Sequence, residues 1–358
     1  MEFSDTTSKF NDPKCSESGM SLAEFSAPDF LVPGDLVAII ATARFVTQED
    51  LNEAKSCLER WGFRLILGQS IGVKHHQLAG SDTARAQDLQ WALDHPEVKA
   101  IWCARGGYGT IRILDRVNFE GFKQYPKWVI GYSDVTALHA RIQKLGWASL
   151  HAQMPLALGE KTSETSRTIE QALKGINYII EWPIQVTQIY EDDGPQGSDQ
   201  SINKLREQGA KSTNDQTVKT RPGEVIAPVI GGNLSLIYSL QGSEEAPDTR
   251  GKILFIEDLD EYLYHIDRMI YSLKRSGVFK GLAGLIVGGM SDMKDHEIPF
   301  GYDPYQIIWA AVAEESYPVV FDAPMGHLTD NRALPLGRLC TLKVTPTEAK
   351  IQVHGKTQ

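Results

Sequence analysis

Cysteine is rare in this chain and is not arranged to bind a metal. Four cysteines occur among 358 residues, and they are scattered without zinc-type spacing (Cys15, Cys57, Cys103 and Cys340). The sequence therefore predicts neither a disulfide framework nor a metal site. We expect reduced thiols and a cytoplasmic location.

Long apolar runs and an excess of positive charge are also missing. No stretch reaches the roughly 18 apolar residues that span a bilayer, and residues 1–20 lack the basic and apolar regions of a secretory signal. The net charge is −10, from 36 basic and 46 acidic residues. This balance argues against a nucleic-acid or anionic-membrane partner.

The segments that are present indicate an α/β protein of two domains. From Leu36 to about Leu158, short apolar strands such as "LVAIIA" and "VKAIWCA" alternate with amphipathic helices such as "TARAQDLQWALDH". Short strands that are apolar on both faces, separated by helices, predict a parallel sheet covered on both sides. A length of 358 residues suggests two domains rather than one.

Composition divides the chain into four parts. We expect a polar, disordered tail over 1–26, a first domain over 27–160, an inter-domain connection with a mobile loop over 161–223, and a smaller α/β domain over 224–358. In this last part, "GGNLSLIYSL" predicts a helix and "PVVFDAP" a strand. Residues at helical spacing in the next helix are predicted to face the core (Leu263, Ile266, Ile270 and Leu273).

A serine stands where an apolar strand turns into a helix in "KWVIGYSDVTALHARI". Ser133 follows the strand directly, and a small polar residue there is often only an N-cap. It can also be a nucleophile, held out at the carboxyl edge of a parallel sheet, where ligands bind. The flanking residues are not GxSxG, so the corner is not an α/β-hydrolase elbow.

A glycine pair is predicted at the same edge, in "ARGGYGT" after strand "VKAIWCA". Gly106 and Gly107 allow positive φ, so backbone N–H groups can point outward towards a phosphate or an oxyanion. Neither GxxxxGK[ST] nor GxGxxG is present, which weakens the phosphate interpretation. A simple tight turn is the alternative.

A serine needs a base, and the base needs an orienting group. Of nine histidines, His327 is the most plausible base, because it lies in "APMGHLTDN" after a predicted strand. His151 also follows a strand, but nothing near it in the sequence supports a role. In "KILFIEDLDE", strand alternation puts Glu257 and Asp258 on opposite faces, and a helix-capping role for Glu257 stays open.

With these residues in view, the chain resembles the LD-carboxypeptidase family of serine peptidases, which includes muramoyltetrapeptide carboxypeptidases and a related microcin-C self-immunity peptidase. Five segments carry the resemblance in family order: "ARGGYGTIRILD", "VIGYSDVTALH", "IGGNLSLI", "ILFIEDLDE" and "PMGHLTDNRALPLG". It implies a flavodoxin-like N-terminal nucleophile domain, a smaller C-terminal domain, and an active site between them.

The resemblance also implies roles for individual residues. Ser133 corresponds to the nucleophile, Glu257 to the orienting acid and His327 to the base. The oxyanion hole would consist of the backbone N–H groups of Asp134 and of the glycine turn, at Gly107. The family uses no metal or organic cofactor.

A carboxypeptidase must also recognise a free terminal carboxylate. Arg105, with Gly106 beside it, and Arg332 in "TDNRALP" are candidates for this contact. A structural ion pair or exposure to solvent is the alternative for either arginine.

We expect a homodimer that removes terminal D-alanine from a murein tetrapeptide. A hydrolase of peptide–nucleotide or acyl-amino-acid conjugates is the second hypothesis, and a non-catalytic ligand-binding protein is the third.

Overall fold

The computed structural model describes residues 25–184 and 220–356. The tail expected over 1–26 lies almost wholly outside these ranges, as do residues 185–219 of the connection with a mobile loop expected over 161–223. None of the helices in the described ranges is long and apolar enough to cross a membrane. The described residues form two sheets, with helices packed against both.

The first sheet has six strands in the order β11-β5-β4-β3-β1-β2. Its first five strands in the chain are mutually parallel, as predicted, and β11 from the C-terminal part adds antiparallel to β5. The strands are β1 (Leu36–Ile40), β2 (Arg64–Leu67), β3 (Val98–Cys103), β4 (Trp128–Gly131), β5 (Ser149–His151) and β11 (Leu334–Leu336).

Separate apolar clusters cover the two faces of this sheet. Helix α1 buries Ala54, Cys57, Leu58 and Trp61, a helical spacing, and ends at Gly62, whose φ of 86° is left-handed. The helices of this part are α1 (Asn52–Trp61), α2 (Asp82–Asp94), α3 (Glu120–Gln124), α4 (Thr136–Lys144) and α5 (Ser163–Lys174).

The second sheet has seven strands in the order β10-β9-β8-β7-β12-β13-β6. Strands β7 to β10 are parallel, whereas β12, β13 and β6 extend the sheet antiparallel. The strands are β6 (Tyr178–Pro183), β7 (Gly223–Asn233), β8 (Ile253–Leu259), β9 (Gly284–Ser291), β10 (Val319–Val320), β12 (Leu339–Val344) and β13 (Glu348–Val353). The helices are α6 (Leu234–Ser239), α7 (Leu263–Arg275) and α8 (Pro304–Val312).

Some boundaries differ from the prediction. The "GGN" of the predicted helix "GGNLSLIYSL" ends strand β7, and α6 begins only at Leu234. A Cβ atom added to Gly231 would lie 1.9 Å from the carbonyl oxygen of Phe255, so close strand pairing requires glycine there. Strand β10 is only two residues long, and the expected connection contains α5 and the edge strand β6.

The core-facing prediction for α7 is confirmed at three of its four positions. Ile266, Ile270 and Leu273 are buried, whereas Leu263 in the first turn is only partly buried. Met269 is buried with them. The buried face of α7 therefore begins one turn after the start of the helix.

The two sheets meet near the carboxyl ends of β4 and β7. The backbone N–H of Asn233, the last residue of β7, donates to Oγ1 of Thr136 on α4 at 3.0 Å. A Cβ atom added to Gly232 would lie 2.6 Å from the same hydroxyl. The carboxyl edge of the first sheet, where the sequence predicts Ser133 and the glycine pair, therefore faces the second sheet.

Candidate active site

Ser133 occupies a strained backbone position at the end of β4. It begins the 3-10 turn Ser133–Val135 before α4, and its φ of 60° lies in the left-handed region. Non-glycine residues rarely adopt this conformation, and such outliers concentrate at functional sites. Helix α4 has Val135 at its N-cap and receives no capping hydrogen bond from a side chain. The capping alternative for Ser133 therefore finds no support in the geometry.

The glycine turn lies directly against this corner. A Cβ atom added to Gly106 would lie 3.3 Å from Cβ of Ser133 and 3.4 Å from the backbone nitrogen of Asp134. The buried Asp134 side chain accepts a 2.8 Å hydrogen bond from the backbone N–H of Thr110, which ties the end of the loop to the corner. The structure therefore brings Gly106, Ser133 and the Asp134 amide together.

Glu257 on strand β8 and the partly buried His327, in the loop after β10, form a hydrogen-bonded pair. Nδ1 of His327 lies 2.7 Å from Oε2 of Glu257, which is fully buried. Gly326 makes this approach possible, because its φ is 103° and a Cβ atom there would lie 2.7 Å from Oε2 of Glu257. Burial alone would lower the pKa of His327, but the charge and hydrogen bond of Glu257 outweigh it and raise the pKa above its ordinary value.

Tyr132 connects this pair to the serine corner. Its ring packs against the ring of His327 with centroids 4.8 Å apart, and it immediately precedes Ser133. Over the described ranges, the hydrogen bonds include none between Ser133 and His327. In free enzymes such catalytic hydrogen bonds are often long and shorten only when substrate binds.

Asp258 has a different environment from Glu257. Its carboxylate accepts from Nδ2 of Asn233 and from the backbone N–H groups of Ser235 and Leu259, each at 2.9 Å. Burial and then repulsion from Glu257 raise the pKa of Asp258 to about 6. The contacts with Asn233 and Ser235 fix the start of α6, and none of the three hydrogen bonds involves His327. Glu257 contacts the histidine, whereas Asp258 holds the backbone.

The sequence and the fold of this chain are similar to those of known carboxypeptidases. Residues 37–152 match the family model described as the LD-carboxypeptidase N-terminal domain, and residues 227–342 match its C-terminal domain. A probable murein peptide carboxypeptidase of Bacillus subtilis is 31% identical over 91% of this chain and 94% of its own length. The chain belongs to the LD-carboxypeptidase family.

Two further similar proteins have names that refer to different substrates. The microcin C7 self-immunity protein of Escherichia coli is 29% identical, over 78% of this chain and 81% of its own length. A crystal structure of the muramoyltetrapeptide carboxypeptidase from Oxalobacter formigenes superposes with a TM-score of 0.72 at 25% identity, over 90% of this chain and 100% of the other. The predicted family and a serine-type carboxypeptidase are confirmed.

In this LD-carboxypeptidase, the two arginines predicted to bind the substrate carboxylate already have partners. Arg332 donates Nε and Nη2 to the carboxylate of Asp330, at 3.0 and 2.9 Å. Arg105 donates Nη1 to the carbonyl oxygen of Phe45 at 3.0 Å. Arg105 flanks the glycine turn, whereas Arg332 is held in the ion pair that the sequence left open.

Two further residues lie next to this candidate site: His151, which the sequence analysis considered without finding support for it, and Arg44, which it missed. His151 ends β5 and is fully buried, with Nε2 4.0 Å from Oε1 of Glu257. Arg44 follows β1, and its side chain packs against Gly107. His151 is the last residue of β5 and Arg44 lies four residues after the end of β1, so a position at the carboxyl end of a parallel strand is the signal that could have found them.

Proposed function

We propose that this protein hydrolyses the bond to a C-terminal D-alanine in murein tetrapeptides, with Ser133 as nucleophile, His327 as base and Glu257 as orienting acid. The observation that carries the proposal is the 2.7 Å pair of His327 and Glu257. It lies beside a serine held at a φ of 60° against a glycine turn. The names of the murein-specific relatives support the substrate class.

The mechanism proceeds through an acyl-enzyme. Oγ of Ser133 attacks the scissile carbonyl carbon while His327 takes the hydroxyl proton. Glu257 accepts from Nδ1–H of His327 and stabilises the imidazolium that forms. The tetrahedral intermediate then collapses, and His327 gives its proton to the departing amine of D-alanine. Water, deprotonated by His327, releases the peptide and restores Ser133.

Backbone amides stabilise the negative charge that develops on the carbonyl oxygen. The N–H groups of Asp134 and Gly107 are the proposed donors, and Gly106 provides the close approach between turn and nucleophile. Asp134 also lies at the start of the 3-10 turn and helix that follow, where the backbone supplies positive potential. The hydrogen bond from Thr110 to the Asp134 side chain holds the two segments in place.

The wider organisation belongs to the same proposal. The order β2-β1-β3-β4-β5 supports a flavodoxin-like nucleophile domain over 27–160. The domain over 224–358 supplies Glu257 and His327, and 161–223 connects the two. We propose that the protein acts on a small peptide or muropeptide as a cytoplasmic homodimer. Light scattering after size exclusion tests the dimer.

The second candidate is hydrolysis of a peptide–nucleotide or acyl-amino-acid conjugate. The 29% identity to the microcin C7 self-immunity protein favours it. Both candidates use the same serine chemistry and differ in what occupies the cleft on either side of the scissile bond.

The test incubates the purified protein with a murein tetrapeptide and with an aminoacyl nucleotide conjugate, and identifies the products by mass. Release of D-alanine by the wild type, and none by Ser133→Ala, is the expected result. Cleavage of the conjugate alone would move the assignment to the second candidate.

A further inference from the structure

We propose that Arg44 binds the free carboxylate at the C-terminus of the substrate, and so restricts the enzyme to removal of a terminal residue. This inference rests on the proposed function, because it concerns the residue that leaves. It assigns the carboxylate contact to Arg44 rather than to Arg105 or Arg332.

Arg44 is part of the same contiguous set of contacts as the nucleophile. A Cβ atom added to Gly107 would lie 2.5 Å from Cδ and 2.7 Å from Nε of Arg44, so the glycine leaves space for this side chain. The backbone N–H of Arg44 donates to the carbonyl oxygen of Gly106 at 3.4 Å. On its other side Gly106 lies against Ser133. One turn therefore separates the guanidinium group from the reacting hydroxyl.

Within the described residues, the guanidinium group of Arg44 makes no hydrogen bond and no ion pair, and its Nε atom is buried without a hydrogen-bond partner. A buried donor without an acceptor is costly, and native proteins usually satisfy it with protein, water or ligand. An anionic ligand at the cleft would supply the acceptor.

The segment that pairs with the chain around Arg44 carries basic residues. The segment "KHHQLAG" carries Lys74, His75 and His76, and it joins the Arg44 segment through hydrogen bonds from Phe45 N to Gln77 O and from Ala79 N to Ala43 O, at 3.1 and 3.0 Å. The chain as a whole has a net charge of −10. Lys74, whose Nζ lies 5.3 Å from the ring centroid of Phe45, adds positive charge next to the Arg44 segment, and local positive charge in an acidic protein attracts anionic ligands.

The chemistry of the substrate fits this position. In a peptide, the terminal carboxylate is separated from the scissile carbonyl carbon by only the amide nitrogen and one α-carbon. A group that binds it must therefore lie next to the nucleophile and the oxyanion hole. The planar fork of arginine matches a carboxylate in a bidentate arrangement.

The experiment compares a tetrapeptide ending in free D-alanine with its C-terminal amide. In the wild type we expect kcat/KM to favour the acid by about 10- to 100-fold. In Arg44→Gln, kcat/KM for the acid should fall by that factor, whereas kcat/KM for the amide should change little. Arg44→Lys should retain part of the preference for the acid. Arg250 is exposed, and among the residues that the structure describes its guanidinium group makes no hydrogen bond or ion pair, so Arg250→Gln controls for net charge and should match the wild type.

Binding supplies a readout that does not need turnover. Calorimetric titration of both peptides into Ser133→Ala, with and without Arg44→Gln, should give the same 10- to 100-fold loss for the acid alone. An unchanged acid preference in Arg44→Gln overturns the proposal. The proposal is also overturned if Arg44→Gln weakens binding of the acid and of the amide equally. It is overturned as well if Arg105→Gln loses the preference for the acid while Arg44→Gln keeps it. If the wild type binds the acid through Arg44 but cleaves neither peptide, the proposed function fails and this assignment stands.

Discussion

Nε2 of His151 lies 4.0 Å from Oε1 of Glu257, although the two residues belong to different sheets. Both side chains are fully buried, and neither this oxygen nor either ring nitrogen of His151 has a hydrogen-bond partner. The ring of His151 also packs against Phe255 and Tyr132, with centroids 4.8 and 5.8 Å apart. His151 therefore closes the side of Glu257 that faces away from His327.

This arrangement makes His151 a positioning residue in our interpretation. His151→Phe should lower kcat by about 10- to 100-fold with little change in KM, because the buried carboxylate oxygen loses its polar neighbour. His151→Gln keeps a donor and should recover part of the rate. Equal losses in both variants would contradict the positioning role.

Ser133→Ala tests the nucleophile. Turnover should fall by about 10⁴- to 10⁶-fold, because removing the nucleophile abolishes acyl-enzyme formation. Circular dichroism and thermal melting should report an intact fold, since the serine makes no capping bond that holds the helix. Turnover near the wild-type value would rule the assignment out.

Ser133→Gly separates catalysis from backbone strain. Glycine adopts a φ of 60° without the penalty that a side chain pays there, so this variant should unfold at a higher temperature than Ser133→Ala. The gain should be about 1 kcal/mol, and the variant should be equally inactive. A Ser133→Gly protein no more stable than Ser133→Ala would argue that the corner is unstrained.

The two neighbouring acids should respond differently to neutralisation. Glu257→Gln should lower kcat by about 10³- to 10⁴-fold, because it removes the charge that stabilises the His327 imidazolium. Asp258→Asn should lower stability by about 1–3 kcal/mol, since it disturbs two hydrogen bonds at the start of α6 and a third to the backbone N–H of Leu259. Kinetics and chemical denaturation of both variants check this. If Asp258→Asn loses as much turnover as Glu257→Gln, or more, the choice between the acids is wrong.

The pH profile should reflect the raised pKa of His327. Neutral imidazole must accept the serine proton, so kcat/KM should rise with pH through this pKa, with a midpoint above the ordinary value of 6.5. In Glu257→Gln the charge that raises the pKa is gone, and the midpoint of the residual activity should move to lower pH. A midpoint that does not move would mean that Glu257 does not set the pKa of His327.

The sequence by itself determined the elements that depend on local pattern. Continuous apolar runs broken by amphipathic helices were enough for β1 to β5, because strand and helix periods are properties of neighbouring residues. Side-chain alternation along β8 also separated Glu257 from Asp258. The sequence context of His327 made it a candidate base, and the resemblance to the LD-carboxypeptidase family joined it to Glu257, 70 residues away along the chain.

Only the tertiary structure decided which distant residues meet. It alone paired β11 with β5, kept Gly231 and Gly232 in a strand, and placed His151 beside Glu257 and Arg44 against Gly107. These contacts depend on how two sheets pack and on which polar atoms are buried without partners. Neither property can be read from local periodicity, because burial and pairing are set by residues far apart in the chain.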